Sequence, residues 1–148
     1  MNEPDSKLFT LSEAERERIE LEPLLIEAME LRRKMADLEA TLLATTERIM
    51  RMGGVSVPYE KTAATRRDRD STAESLQAAL DRIHSTGCLV KDLDVGLLDF
   101  PARLDNQDVY LCWRLGEDRI RFYHRQDEGF AGRRPLDPRD AGYSSPVQ

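Results

Sequence analysis

Residues 96–136 read GLLDFPARLDNQDVYLCWRLGEDRIRFYHRQDEGFAGRRPL, and the pattern inside this stretch decides the fold. It contains the only tryptophan, Trp113, together with Cys112, His124 and three of the four phenylalanines, Phe100, Phe122 and Phe130. Val109, Leu111, Trp113 and Leu115 alternate with Tyr110, Cys112 and Arg114, and Ile120 to His124 alternates in the same way. Successive strand side chains point to opposite faces, so this period of two, rich in branched and aromatic residues, predicts two half-buried strands. Gly116-Glu117-Asp118-Arg119 lies between them and predicts a hairpin. A four-residue loop sets Leu115 opposite Ile120, Trp113 opposite Phe122 and Leu111 opposite His124. Opposed residues share a face. Leu111, Trp113, Leu115, Ile120, Phe122 and His124 are then expected on the apolar face, with Tyr110, Cys112, Arg114, Arg121, Tyr123 and Arg125 on the other. A slip of one residue would exchange the faces of one strand.

Working outward, Asp105-Asn106-Gln107-Asp108 is turn-like, Leu97 to Phe100 reads as a short strand before Pro101, and Cys88-Leu89-Val90 as another. Upstream the rhythm changes. Leu21, Leu24, Ala28, Leu31, Met35, Leu38, Leu42, Thr45, Ile49 and Met52 are spaced alternately three and four apart. This heptad seam predicts a helix over about 12–52 with coiled-coil-like packing. Thr10 with Glu13 has capping-box spacing, Pro23 is a site for a kink, and Gly53-Gly54 suits a helix end. A second helix is expected over about 59–85, polar in its first half, with Ala73, Leu76, Leu80 and Ile83 as its seam. Pairing back from the glycines uses the first helix only as far as about Ala28. The leading segment, Leu11 to Leu25, is left to cover the sheet around Trp113 and Phe122. Helices followed by strands imply an α+β fold: a long antiparallel helical hairpin and a small antiparallel β-sheet. The expected organisation is one domain over 1–136, with the hairpin at about 11–86, the sheet at about 88–136, and a flexible tail at 137–148.

The pieces GCLVKDLDVGLLDFPA (87–102), VYLCWRLGE (109–117), FYH (122–124) and DEGFAGRRPL (127–136), after a helix opening on FTLSEAE (9–15), carry a family likeness. Together they resemble the uncharacterised bacterial family called domain of unknown function 2203. The resemblance covers most of the chain except residues 55–69 and the tail after Leu136. It implies fold and kinship and brings no established activity, so the function has to be read from the residues.

The chain has 148 residues, enough for one domain with a real core, and a net charge of −6. General nucleic-acid binding needs a basic footprint, so that class is disfavoured. No apolar run approaches the roughly 20 residues that span a bilayer. Two cysteines, Cys88 and Cys112, make no disulfide framework and point to reduced thiols of a cytoplasmic protein.

Four chemical candidates follow. His84, Cys88, Cys112 and His124 match a Cys2His2 zinc set in number, but the spacing fits no zinc pattern and the expected register parts Cys112 from His124. His124 with Asp127, Glu128 and, through folding, Asp99 could hold a metal or act as an acid–base pair; the plainer reading is a histidine bonded to Asp127 at a strand end. Gly129 to Arg134 could form an anion-binding nest clamped by Arg133; otherwise Phe130 plugs the core and Arg133 pairs with Asp99 or Asp94. Asp92, Asp94 and Asp99 could bind cations but more often end strands. No Ser-His-Asp order, phosphate loop or paired-Cys motif appears, so the sequence leaves enzymatic activity open and names no cofactor.

The first helix carries more apolar seam than the second can cover, which favours a homodimer or a protein partner. The leading expectation is an interaction module binding through Leu31, Met35, Leu38, Leu42 and Ile49, with no membrane and no nucleic acid involved. The alternative is a small metal- or anionic-ligand-binding protein, or a hydrolase-like enzyme, with a site at His124, Asp127, Arg133 and Asp99.

Overall fold

The computed structural model describes residues 7–53 and 59–142. Two helices come first, α1 (Leu11–Met52) and α2 (Tyr59–His84). Five strands follow: β1 (Leu89–Asp92), β2 (Leu97–Leu104), β3 (Gln107–Arg114), β4 (Phe122–Arg125) and β5 (Arg134–Pro135). They form one antiparallel sheet in the order β1-β2-β3-β4-β5, so every neighbour in space is a neighbour in sequence. The expected α+β architecture is present. The fifth strand, from the GRRPL segment, is an addition. Gly54, expected with Gly53 to end the helix, and residues 55–58 lie outside the described residues. Of the segment expected as a flexible tail, Pro138–Asp140 form a 3-10 turn whose Asp140 bonds Arg121 Nη1 at 2.7 Å; residues 143–148 lie outside the description.

The ends of α1 follow from its caps. Thr10 Oγ1 accepts from Glu13 N and Glu13 returns the bond to Thr10 N, which satisfies amides that the first turn leaves open. At the other end Gly53 takes φ +64, the left-handed conformation that closes a helix. No break occurs at Pro23, where a kink was expected. Pro23 and Ile19, the residue four before it whose carbonyl the ring leaves unbonded, are both exposed.

One face of the sheet and the helices share the core. Leu98, Phe100 and Ala102 of β2 and Val109, Leu111 and Trp113 of β3 pack with Leu21, Leu25 and Met29 of α1 and Ile83 of α2. The leading part of α1 therefore covers Trp113, as the length argument required, but not Phe122, which lies on the other face of the sheet. Arg18 lies over the indole at 5.4 Å and donates to Asp118 O, and Glu15 accepts from Ile120 N, so α1 also ties down the segment after β3. Phe9 meets Phe100 edge to face at 5.2 Å, and its N–H donates to Pro101 O.

That last bond explains how β2 continues through Pro101, where the sequence suggested a stop. β1 pairs only as far as Asp99, so Pro101 turns its missing donor toward a side with no strand beside it. Between β2 and β3 the turn has only two residues. Asp105 (φ +50) and Asn106 (φ +64) both take left-handed angles, as a type I′ hairpin requires. Gln107 and Asp108 belong to β3. This tight turn sets Asp99 opposite Cys112 and Leu98 opposite Trp113.

The register between β3 and β4 differs from the expectation by one residue. Cys112 faces Phe122, Leu111 faces Tyr123 and Tyr110 faces His124. Trp113 and Phe122 therefore lie on opposite faces, and His124 shares a face with Cys112. The cause is the connection, which is not a four-residue hairpin loop. Leu115 N donates back to Gly96 O, Glu117 caps Arg114 N at 2.8 Å, and the Trp113 indole donates to Glu117 O at 3.0 Å. β3 thus ends at Arg114, and Ile120 reaches the core from the loop instead of from a strand. Gly96 makes this packing possible: it has φ +77, and a Cβ there would lie 2.9 Å from Leu115 Cβ and 3.1 Å from Met29 Sδ.

Candidate metal centre

The register slip builds the site. On the face turned away from the helices, β2 presents Asp99, β3 presents Cys112 and β4 presents His124. All three are buried, at 1%, 1% and 2% exposure. A carboxylate oxygen, the thiol sulfur and a ring nitrogen lie within 4.8 Å of one another. They stand beneath a pocket of about 370 Å3 that is bordered by Lys91, Asp92, Leu97, Glu128, Gly129 and Phe130.

The hydrogen bonds set the protonation of His124. Nδ1 lies 2.8 Å from the backbone carbonyl of Arg125, which can only accept, so Nδ1 carries a proton. Nε2 lies 3.0 Å from Asp99 Oδ2. That contact needs one proton between ring and carboxyl, on whichever partner. Burial pushes the Asp99 carboxyl above its ordinary value, and the neighbouring His124 pulls against burial without overcoming it. Asp99 Oδ1 is buried with no hydrogen-bond partner among the described residues. The Cys112 thiol is pushed up to about 12, first by burial and then by the negative charge of Asp99.

This geometry disfavours a cysteine–histidine nucleophile pair. Both ring nitrogens are committed, one to a carbonyl and one to Asp99, and neither is placed to take the thiol proton. It suits a metal ion. A ligating histidine commonly offers one nitrogen to the metal and donates the other N–H to a backbone carbonyl or carboxylate, as His124 does toward Arg125. Zinc bonds of about 2.0–2.3 Å set tetrahedral donors roughly 3.3–3.8 Å apart, so chelation would draw these atoms together by up to about 1.5 Å.

The sequence-derived candidates divide. Asp99 and His124 come together. Asp127 is exposed and borders a separate shallow surface with Gln107, Asp108, Arg125 and Gln126, so the expected His124–Asp127 bond does not form. Arg133 reaches the cluster only through Cys112 Sγ, at 3.9 Å. Its partner is Glu117, not Asp99 or Asp94: the guanidinium forks onto both oxygens of a fully buried carboxylate. The same guanidinium stacks between Phe122 (4.1 Å) and Phe130 (4.2 Å). Nor do Gly129 to Arg133 form a nest. Gly132 N and Arg133 N are spent on the 3-10 turn Phe130–Gly132, and Phe130 borders the pocket instead of plugging the core. The Cys2His2 set is not assembled: Cys88 packs in the opposite face's core, and exposed His84 accepts from Val90 N. Arg114 and Arg125, expected on one face with Arg121, fall on opposite faces, and Arg121 is bonded to Asp118 and Asp140.

Cys112 joins the site because of the two-residue turn. Once Asp105-Asn106 is read as a type I′ pair, counting back along both strands brings Cys112 opposite Asp99. Sequence offers no comparable signal for Glu117 as the partner of Arg133.

The fold and the site together define an α+β protein in which a helical hairpin closes one face of a five-stranded meander and an Asp–Cys–His cluster lies under the other. The family model described as "Uncharacterized conserved protein (DUF2203)" matches residues 7–136, and the chain belongs to that family. No curated protein and no solved structure matches it. No helix among the described residues is long and apolar enough to cross a membrane.

Proposed function

We propose that this protein binds one divalent ion of the zinc class through Asp99, Cys112 and His124. The observation that carries the reading is the convergence of three buried donors of the right types under a pocket, one of them with an unsatisfied oxygen. Three protein ligands leave a tetrahedral ion one open position toward the pocket, the arrangement of ligand-binding and catalytic sites and not of closed structural ones. Thiolate and imidazole favour zinc or cobalt over magnesium or calcium. The metal would replace two protons, that of the thiol and the one held between Asp99 and His124. Affinity should therefore rise by about two orders of magnitude per pH unit while both protons are bound. Elemental analysis of the purified protein and calorimetric zinc titration of the stripped form test this. One equivalent is expected, lost in Cys112→Ser and His124→Ala. Binding that survives Cys112→Ser unchanged would refute the assignment.

A second reading, self-association through the helical hairpin, is supported by its distal half. Leu31, Met35, Leu38 and Leu42 are half-buried, and Leu42 borders a groove shared with Thr62 and Thr65 of α2. The larger exposed apolar surface lies nearby, at Leu43 (60%), Ile49 (38%), Met50 (78%), Met52 (56%) and Tyr59 (79%). The expected interaction set thus keeps Ile49 and shifts toward the hairpin tip. Sedimentation equilibrium at micromolar concentration should show a dimer that Leu43→Asp with Met50→Asp dissociates; a wild-type monomer refutes it.

A further inference from the structure

We infer that the pocket above the Asp99–Cys112–His124 cluster takes a small molecule bearing a carboxylate or phosphate group, whose oxyanion fills the fourth position of the metal; this rests on the metal reading above. The argument is one of charge. A divalent ion held by one carboxylate, one thiolate and a neutral imidazole is electrically neutral, so an anionic fourth ligand needs a cation nearby. The pocket supplies one. Lys91 borders it, stands over the Tyr110 ring at 4.9 Å, and forms no salt bridge among the described residues. The two acids on the same wall are committed elsewhere. Asp92 Oδ1 accepts the amides of Asp94 and Val95, and Glu128 accepts from Arg125 N and pairs with Arg134.

The remaining wall adds to the same sign. Arg114 lies 5.9 Å from the Phe130 ring, whereas the charge of Arg133 on the same ring is cancelled by Glu117. Arg114 sits opposite Leu97, another pocket residue, and its Nε is buried without a hydrogen-bond partner among the described residues. Around this pocket two cations, Lys91 and Arg114, form no salt bridge among the described residues, against one acid, Asp92, whose partners are backbone amides; Glu128 is paired with Arg134. The volume, about 370 Å3, falls in the range of small-molecule sites, and Leu97 and Phe130 give an apolar wall for the rest of the ligand.

The test uses the full-length protein loaded with cobalt(II), whose thiolate charge-transfer band reports the metal and whose visible d–d bands report the fourth ligand. Acetate and inorganic phosphate are the probes. Saturable change of the d–d bands with at least one anion is expected, with the charge-transfer band retained. Lys91→Met should weaken that anion about tenfold or more, the loss of one charge-assisted contact, and Lys91→Arg should restore it. A charge-transfer band with d–d bands insensitive to both anions overturns the inference and leaves the metal reading standing. Equal anion affinity in wild type and Lys91→Met also overturns it. Absence of any charge-transfer band removes both.

Discussion

Removing the Glu117 carboxylate is the sharpest test of how the pocket wall is held. Glu117 has no side-chain exposure and Arg133 has 10%, so the pair sits in a low-dielectric setting. The carboxylate also caps Arg114 N, while the backbone carbonyl of Glu117 accepts the Trp113 indole. Glu117→Ala leaves the Arg133 guanidinium buried between Phe122 and Phe130 with no counter-charge. Breaking one side of a buried pair costs about 3–5 kcal/mol. At roughly 3 °C per kcal/mol for a chain of this size, the melting temperature should fall by about 10–15 °C. The fork is not required for stability as such. Replacing both partners with apolar residues of similar volume, Glu117→Leu with Arg133→Met, should recover most of that loss, short of wild type by about 1–2 kcal/mol for the Arg114 N–H that loses its cap. Urea denaturation of the wild type, Glu117→Ala and the double variant, with thermal melts alongside, provides the assay. A Glu117→Ala loss below about 1 kcal/mol, or a double variant no better than the single one, would refute the claim that an uncompensated guanidinium is what destabilises the fold.

Gly96→Val should cost at least about 2 kcal/mol, because a left-handed φ and a 2.9 Å approach to Leu115 Cβ coincide there; a urea midpoint unchanged from wild type would contradict the packing. The Asp99 carboxyl is raised in the folded state, so folding disfavours its ionised form. The stability of the metal-free wild type relative to Asp99→Asn should fall as pH rises from about 3.8 through the raised value and then level off, and a gap that widens in favour of wild type over that range would show that burial is not the dominant influence. Both thiols are buried and pushed up, so in metal-free folded protein at pH 8 neither should react with a disulfide reagent on the timescale of the unfolded chain; rapid labelling of Cys112 would contradict its burial. Asn106→Val should destabilise by about 1–3 kcal/mol, since a β-branched residue resists φ +64, whereas Asn106→Gly should be neutral or stabilising; chemical denaturation separates the two.

Patterns that repeat along the chain were readable, and patterns that depend on a single local count were not. The heptad spacing from Leu21 to Met52, the Thr10–Glu13 cap and Gly53 delimit α1 almost to the residue, because each is a short-range rule about one helix. The strand alternation around Trp113 is equally local. Even the long-range packing of Ala14, Leu21 and Leu25 under the sheet followed from comparing the lengths of two helices.

The site depended instead on register, which one residue of loop geometry reverses. Gly116 to Arg119 looks like a four-residue hairpin loop when only neighbouring residues are considered. Its path is set by groups far away in sequence: Glu15 on Ile120 N, Arg18 on Asp118 O, Gly96 O on Leu115 N. Those contacts turn His124 from the helix-covered face to the face of Cys112, and only there can it meet Asp99. The alternation that correctly announced a two-sided sheet therefore carried no information about which side would hold the chemistry. The same helix that closes the core thus also determines that the Asp–Cys–His cluster exists.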